Sequence, residues 1–320
     1  MTSSLWLRAA LLALAFARIT SGCGGSSEGR ADEELGDLVV SPAMLKLEVD
    51  VDKASSDAVE LLRATALPHH WTSEVLGAHR VNGSSSVEVL EGGSTIEELS
   101  DELLLAVDSE GHYRMTLDNS KEYGRHASYD GKTLYLRPRF GPYHARLAQS
   151  ETEASDIRNE VFAGASDYLE LLGRQLELSD KGESVFEGRA ARSIALQLAP
   201  EARTVDAETL SHKLWRNSIV VDAIRGTASL DAETGAVLYL QFEGTISYQR
   251  DGRSLQMKLQ AERTISKVGH EESIGAPDDA AIMTIGARRR ELAEREELLK
   301  SIAPPARKAP TPKASLKDGR

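Results

Sequence analysis

The chain has a single cysteine in 320 residues, Cys23, directly after Ser21-Gly22. Ile19-Thr20-Ser21-Gly22-Cys23 has the form of a bacterial lipobox, in which the cysteine is acylated and becomes the mature N-terminus. Thr20 departs from that form, because leucine usually stands there, and Arg18 is an unusual charge so close to a cut. Ala15-Phe16-Ala17 offers the other reading, an A-x-A cleavage site that would release a soluble protein. A lone thiol in an exported protein is otherwise a liability, which favours acylation of Cys23.

The remaining reactive side chains form no constellation. Asp50-Val51-Asp52 begins like a calcium loop, then puts Ser55 where glycine should be and Leu61 where the bidentate glutamate should be. His69-His70-Trp71 could touch a metal or ligand, but after Pro68 it reads more simply as a loop. His112, His126, His144, His212 and His270 have no ligand spacing. Asn82-Gly83-Ser84 matches the glycosylation triplet, a coincidence in a bacterial exported chain. Glu97-Glu98 and Asp101-Glu102 read as solvated faces. The sequence holds no G-x-S-x-G, H-E-x-x-H or P-loop. No catalytic residue, metal ligand or cofactor site is therefore assigned.

The elements around Cys23 set its context. Arg8 supplies a positive n-region, and residues 9–17 form an apolar run too short for the roughly 20 residues that span a bilayer. Residues 1–22 are expected to be a signal peptide. Residues 23–40, opening Gly24-Gly25-Ser26-Ser27-Glu28-Gly29, are expected to be a flexible tether. Gly24 occupies the position where an inner-membrane retention signal would place aspartate, so the expected destination is the outer membrane, facing the periplasm. A formal net charge of -12 argues against a nucleic-acid partner.

Residues 41–277 carry the pattern of an antiparallel sheet. Leu238, Leu240 and Phe242 alternate with Tyr239, Gln241 and Glu243; Leu255, Met257 and Leu259 alternate with Gln256, Lys258 and Gln260. Ile194, Leu196 and Leu198 do the same. A period of two puts these apolar side chains on one face. Asp108-Ser109-Glu110-Gly111, Asp130-Gly131, Asp231-Ala232-Glu233-Thr234-Gly235 and Asp251-Gly252 separate such runs as hairpin turns. The stretch 71–90 reads as initial strands rich in serine and glycine. Residues 57–67 read as a short amphipathic helix, and 152–178 as a longer one with Ile157, Val161, Ala165, Leu169, Leu172 and Leu176 on one face. The fold class expected is α+β: a curved antiparallel sheet capped by helices. Residues 278–302 are expected to form a charged, largely solvated helix or coiled coil, and 303–320 a disordered basic tail.

Asp108-Ser109-Glu110-Gly111-His112-Tyr113-Arg114 leading into Tyr129-Asp130-Gly131-Lys132-Thr133-Leu134-Tyr135 resembles hairpins of the lipoprotein-carrier superfamily that includes LolA, LolB, LppX and LprG. Leu230-Asp231-Ala232-Glu233-Thr234-Gly235 and Tyr248-Gln249-Arg250-Asp251-Gly252-Arg253 resemble its late strands, and the lipobox-like leader agrees. The resemblance covers roughly residues 45 to 277. It implies an unclosed β-barrel of about eleven strands, with a cavity for acyl chains between sheet and helices.

The function expected is a non-enzymatic lipoprotein that binds or carries a lipid, a palmitate-like acyl chain or another hydrophobic ligand in the periplasm. It would hold the membrane through an N-terminal lipid anchor. Candidate cavity residues are Leu103, Leu105, Met115, Leu134, Leu136, Val161, Leu169, Leu172, Leu238, Leu240 and Phe242. The alternative is a structural or interaction lipoprotein with a filled core, meeting an envelope protein through its C-terminal helix and tail. An enzyme is the third reading.

Overall fold

The computed structural model describes residues 48–202, 211–278 and a discontinuous set between 281 and 297. Cys23, the leader, the tether and the tail lie outside the described residues.

Three short helices open the domain: α1 (Val51–Ser56), α2 (Ala58–Thr65) and α3 (His69–Leu76). Asp50 caps α1 by accepting from the Lys53 amide at 3.0 Å, and Asp57 caps α2 by accepting from the Val59 amide at 2.9 Å. The acidic triplet at residue 50 is thus a helix start. Pro68, with φ at -66°, is preorganised to enter α3. His69-His70-Trp71 is therefore the first turn of a helix and not a loop, and among the described residues no strand precedes His79, so the strand expected from residue 71 begins only there.

Eleven strands follow: β1 (His79–Glu91), β2 (Ser94–Val107), β3 (Tyr113–Asn119), β4 (Gly124–Tyr129), β5 (Thr133–Pro138), β6 (His144–Leu147), β7 (Leu176–Phe186), β8 (Arg189–Leu198), β9 (Val220–Asp231), β10 (Val237–Arg250) and β11 (Arg253–Ser266). A 3-10 segment, Ser211–Ser218, precedes β9. The strands form one antiparallel sheet in the order β6-β5-β4-β3-β2-β1-β11-β10-β9-β8-β7. Asp251 and Gly252 both take positive φ, 53° and 74°, as a two-residue hairpin turn between β10 and β11 requires.

This order dictates where the helices go. The chain meanders outward from β1 to the edge at β6, then resumes at the opposite edge with β7 and meanders back to pair β11 with β1. The link between the two edges must cross the sheet. That link is α4 (Glu151–Phe162) and α5 (Gly164–Leu172). Edges β6 and β7 do not pair, so the barrel is unclosed.

The helix expected over 152–178 is corrected in two ways. It divides at Ala163, and it ends at Leu172; after a short 3-10 turn, Leu176 and Leu178 belong to β7. Leu172 and Leu176 are both fully buried in one cluster, so four-residue spacing survives while the backbone changes from helix to strand. Ser150 starts α4, accepting from the Glu153 amide at 3.2 Å. Glu153 accepts from the Gln149 amide at 2.6 Å, a pairing close to a capping box.

Beyond β11 the chain returns to the β5–β6 end. Ser128 donates to the Gly275 carbonyl, and Tyr143 pairs with Ala281 and Met283 through two 2.8 Å backbone bonds. Past that pairing, the α-helical positions among the described residues begin at Gly286.

One face of the sheet carries the core. Val81, Leu103, Met115, Leu134, Leu238 and Ile265 pack with Leu67, Trp71, Leu76, Ala154 and Phe162 in one apolar cluster. Val87, Leu196, Ile224, Leu240, Phe242 and Leu259 pack with Leu61, Leu169 and Leu172 in a second. Each fully buried Leu, Ile or Phe contributes roughly 1.5–3 kcal/mol, and this burial stabilises a chain whose one cysteine cannot form an internal disulfide.

Candidate functional site

The inner face, the one covered by helices, places most of the predicted cavity residues together. Leu103, Leu105, Met115, Leu134 and Leu238 lie buried in the first cluster, with Leu136 half-buried against it. Leu169, Leu172, Leu240 and Phe242 lie buried in the second. The Val161 side chain lies outside the described residues. These residues form two clusters, not one continuous pocket.

What separates the clusters is polar. Along β11, Leu255, Met257, Leu259 and Ala261 belong to the second cluster and Ile265 to the first, with Arg263 between them. Along β2, Leu103 and Leu105 belong to the first and Leu99 packs on the second, with Asp101 between. Along β1, Gly83 and Ser85 intervene between Val81 and Val87. The register aligns these positions: Arg263 opposes Gly83, and Ser85 opposes both Ala261 and Asp101. A polar seam therefore crosses the inner face. Burial raises the Asp101 carboxyl above its usual range. Burial, then the neighbouring Asp101 charge, raises the Tyr168 hydroxyl to about 12; Tyr168 is also hydrogen-bonded to Ser85.

Helix α3 places His69 beside His79, the first residue of β1. His69 and His79 are both fully buried, with their Nε2 atoms 3.0 Å apart. His79 Nδ1 lies 2.7 Å from the Gly77 carbonyl, which can only accept, so Nδ1 carries the proton. His79 Nε2 must then accept, and His69 Nε2 donates to it. Ser73 Oγ lies 3.3 Å from the remaining His69 nitrogen. Both rings are neutral in this arrangement. Burial drives the His79 pKa down to about 4, against a smaller upward pull from the Gly77 carbonyl. Burial, then His79, Arg158 and Arg263, hold His69 well below the ordinary histidine range.

A recess of about 490 Å³ lies where the β1–β2 and β10–β11 hairpins turn, beside the start of β9. Leu90, Val220, Tyr248 and Leu255 supply its apolar lining, and Ser218, Ser254 and Gln256 its polar rim. Tyr248 and Leu255 are also members of the second cluster, and Trp215 packs on the Tyr248 ring at 5.0 Å. Pockets for small apolar ligands run from about 300 to 1,000 Å³. A second recess, about 300 Å³, is lined mainly by outward residues such as Ser84, Glu102, Glu243 and Glu262. Among the described residues no group of three or more His, Cys, Asp or Glu side chains could hold a metal ion.

Sequence reasoning picked the apolar face but not the recess, nor Arg158, Arg263 and the histidine pair. A signal for Arg263 was present: it falls on the inward beat of the alternation that runs through Leu255, Met257 and Leu259.

No family model and no curated protein matches the chain. Its fold resembles that of the lipoprotein LppX and of a LolA superfamily protein. The lipoprotein LppX of Mycobacterium tuberculosis is 15% identical over 68% of this chain and 100% of its own, at a TM-score of 0.27. LprF of Mycobacterium bovis is 13% identical over 70% of this chain and 99% of its own, at 0.29. A LolA superfamily protein from Nitrosomonas europaea is 10% identical over 70% of this chain and 96% of its own, at 0.18.

Proposed function

We propose that the protein binds a hydrophobic ligand, a lipid or acyl chain, on the inner face of its sheet, and that it does so in the bacterial envelope. The observation that carries this reading is the 490 Å³ recess, whose lining residues Tyr248 and Leu255 continue into the buried apolar cluster. A chain entering there would leave water for an apolar wall already ordered by the fold, which lowers the entropic cost of binding. The reading is one of binding and not of catalysis. The lipobox-like leader supports an anchor at Cys23, with outer-membrane attachment facing the periplasm as the destination.

Native mass spectrometry of the full chain, purified without detergent, tests the ligand class directly: co-purifying lipid supports the reading. Val220 is 57% exposed and lines the recess, so Val220→Trp should fill the mouth without disturbing the core. It should weaken binding of a fluorescent acyl probe at least fivefold at unchanged melting temperature. A wild type that carries no lipid and binds no probe sinks the carrier reading. For the anchor, Cys23→Ser should move the protein out of the membrane fraction; a variant that stays there refutes acylation.

The second reading, an interaction lipoprotein with a filled core, has its own observation. Leu134, Leu169, Leu172, Leu240 and Phe242 are all completely buried, as close-packed interiors are.

A further inference from the structure

The hairpin turns of an antiparallel sheet fall at two ends, and here the ends differ. One end holds the β1–β2, β3–β4, β5–β6 and β10–β11 turns, residues 92–93, 120–123, 139–143 and 251–252. The other holds residues 108–112, 130–132, 187–188 and 232–236. The 490 Å³ recess lies at the first end. Ten large apolar side chains are exposed among the described residues, and five of them, Ile96, Tyr123, Phe140, Leu198 and Val220, lie toward that end. Both aromatic members of the ten are in this group. Leu104, Leu147 and Val185 lie in the other half of the sheet. Single exposed apolar residues are ordinary, but a group gathered at one end marks a surface that meets a partner or a membrane.

Tyr123 and Phe140, 67% and 70% exposed, sit on the tips of neighbouring hairpins that are tied together. The Arg139 amide donates to the Gly124 carbonyl at 3.1 Å, and Arg139 Nη1 donates to the Asn119 carbonyl at 2.9 Å. Asn119 Oδ1 accepts from the Lys121 and Tyr123 amides, both at 3.0 Å, which fixes the first tip. The Arg139 guanidinium lies over the Phe140 ring, 5.2 Å from its centroid. The two rings are thus held outward by ordered turns. Charge separates the ends as well. Turns at the recess end carry Lys121 and Arg139 against Glu122 and Asp251, whereas those at the far end carry Asp108, Glu110, Asp130, Glu187 and Glu233 against Lys132. Beside the near turns, Arg253 is paired with Glu91 and Arg139 with Asp118. In a chain of net charge -12, the recess end is the one that an anionic surface repels less.

We propose that this end of the sheet docks on a lipid bilayer, with Tyr123 and Phe140 seated among the headgroups and the recess facing the membrane. The proposal deepens the carrier reading and rests on it for the recess: a ligand would pass between bilayer and protein without crossing water. Aromatic side chains favour the headgroup layer, where an apolar ring and a polar edge are both satisfied, and Lys121 and Arg139 beside them can reach lipid phosphates. The five apolar residues come from five separate segments of the chain. A fluid surface meets all of them without needing matched shape, and the acidic turns at the far end point the net charge away from it.

The test is flotation with vesicles of equal parts phosphatidylethanolamine and phosphatidylglycerol. It uses the chain from residue 23 onward, carrying Cys23→Ser so that no acyl group contributes. This parent should float with the vesicles. Tyr123→Ser combined with Phe140→Ser should weaken vesicle binding at least tenfold, and Val185→Ser, at the far end, should leave it unchanged. Neither aromatic lines the recess, so the double variant should keep the parent's melting temperature and its affinity for a fluorescent acyl probe. Two conservative variants serve if the double variant misfolds: the added indole of Phe140→Trp should be quenched by brominated lipid, and that of Val185→Trp should not. A parent that does not float, or a double variant that floats as well as the parent, overturns the docking end and leaves the carrier reading standing. Equal loss in Val185→Ser shows general adsorption and also overturns it. Flotation that depends on the two aromatics in a protein that binds no acyl probe upholds the docking end and sinks the carrier reading alone.

Discussion

Lowering the pH from 7.5 to 5.0 should destabilise this domain through His69 and His79, and His79→Gln should remove a defined part of that loss. In the unfolded chain a histidine takes up a proton near pH 6.5. In the folded protein His79 stays neutral to about pH 4, because burial penalises its charged form. Below pH 6.5 the unfolded state therefore binds more protons than the folded state. Stability is fully present above that pH and falls as acid is added, by up to about 1.4 kcal/mol per pH unit. At pH 5.0 the His79 share reaches roughly 2 kcal/mol. His69 adds a loss of the same sign: His79, His70, Arg158 and Arg263 all face it, and each disfavours another positive charge. Domains of this kind are stable by only about 5–15 kcal/mol, so the loss is measurable.

His79→Gln keeps an acceptor near His69 Nε2 and loses the hydrogen bond to Gly77, costing about 1 kcal/mol at pH 7.5. Its stability should then fall about 2 kcal/mol less than that of the wild type between pH 7.5 and 5.0. Urea unfolding at half-unit pH steps, with fluorescence of the buried Trp71 as signal, reads this as a difference of about 1 M in the midpoint shift for a slope near 2 kcal/mol/M. The window stops at pH 5 because Glu60, Glu91, Asp180 and Glu272 hold carboxylates lowered by basic partners, whose stabilisation is lost at more acid pH. Parallel stability curves for wild type and His79→Gln would refute the argument that His79 is neutral when folded.

Asp231→Ala should cost about 3 kcal/mol in chemical denaturation, since this buried carboxylate accepts from Arg189 Nε at 2.6 Å and from the amide and hydroxyl of Thr234, both at 2.9 Å. Burial pushes its pKa up, but Arg189 and Thr234 outweigh that and lower it, so its contribution is present above about pH 4 and lost in stronger acid. Gly226→Ala should cost at least about 2 kcal/mol, because a Cβ would meet backbone of β10, 2.8 Å from Phe242 Cα; Gly275→Ala, with open space around it, should stay within about 0.5 kcal/mol. Leu240→Trp should cost roughly 1–3 kcal/mol by overpacking the second cluster. A melting temperature unchanged by Leu240→Trp would instead reveal a hollow beside that residue.

The sheet was legible because its signal is local and redundant. Leu238, Leu240 and Phe242 alternate with polar residues, and Asp251-Gly252 can satisfy a two-residue turn, so pattern and turn chemistry point to the same hairpin. The helices were less legible. Residues 69–76 bury Trp71 and Leu76 but also His69 and Thr72, and an eight-residue segment with polar buried positions gives little periodic contrast. The boundary at Leu172 was hidden by Leu176, which continues the helical spacing from within a strand. Pairing of β1 with β11 joins residues far apart in sequence, and no local pattern encodes it.

On the inner face the apolar positions and the exceptions to them carry different information. Reading apolar positions selects residues that pack, and Leu103, Met115, Leu169 and Leu240 do pack. Positions that break the pattern bear more directly on chemistry. Asp101 stands between Leu99 and Leu103 on β2, and Arg263 between Ala261 and Ile265 on β11, each on the inward beat of its strand. A charged side chain there costs stability unless something pairs with it. Arg158 required the structure, because its place over the Tyr113 ring depends on α4 crossing the sheet from one edge to the other. The crossing helix and the interrupted strand together set the Arg263 guanidinium over the Phe162 ring, 4.1 Å from its centroid, so a cation on the inward beat of β11 is held by an aromatic face that only the crossing of α4 supplies.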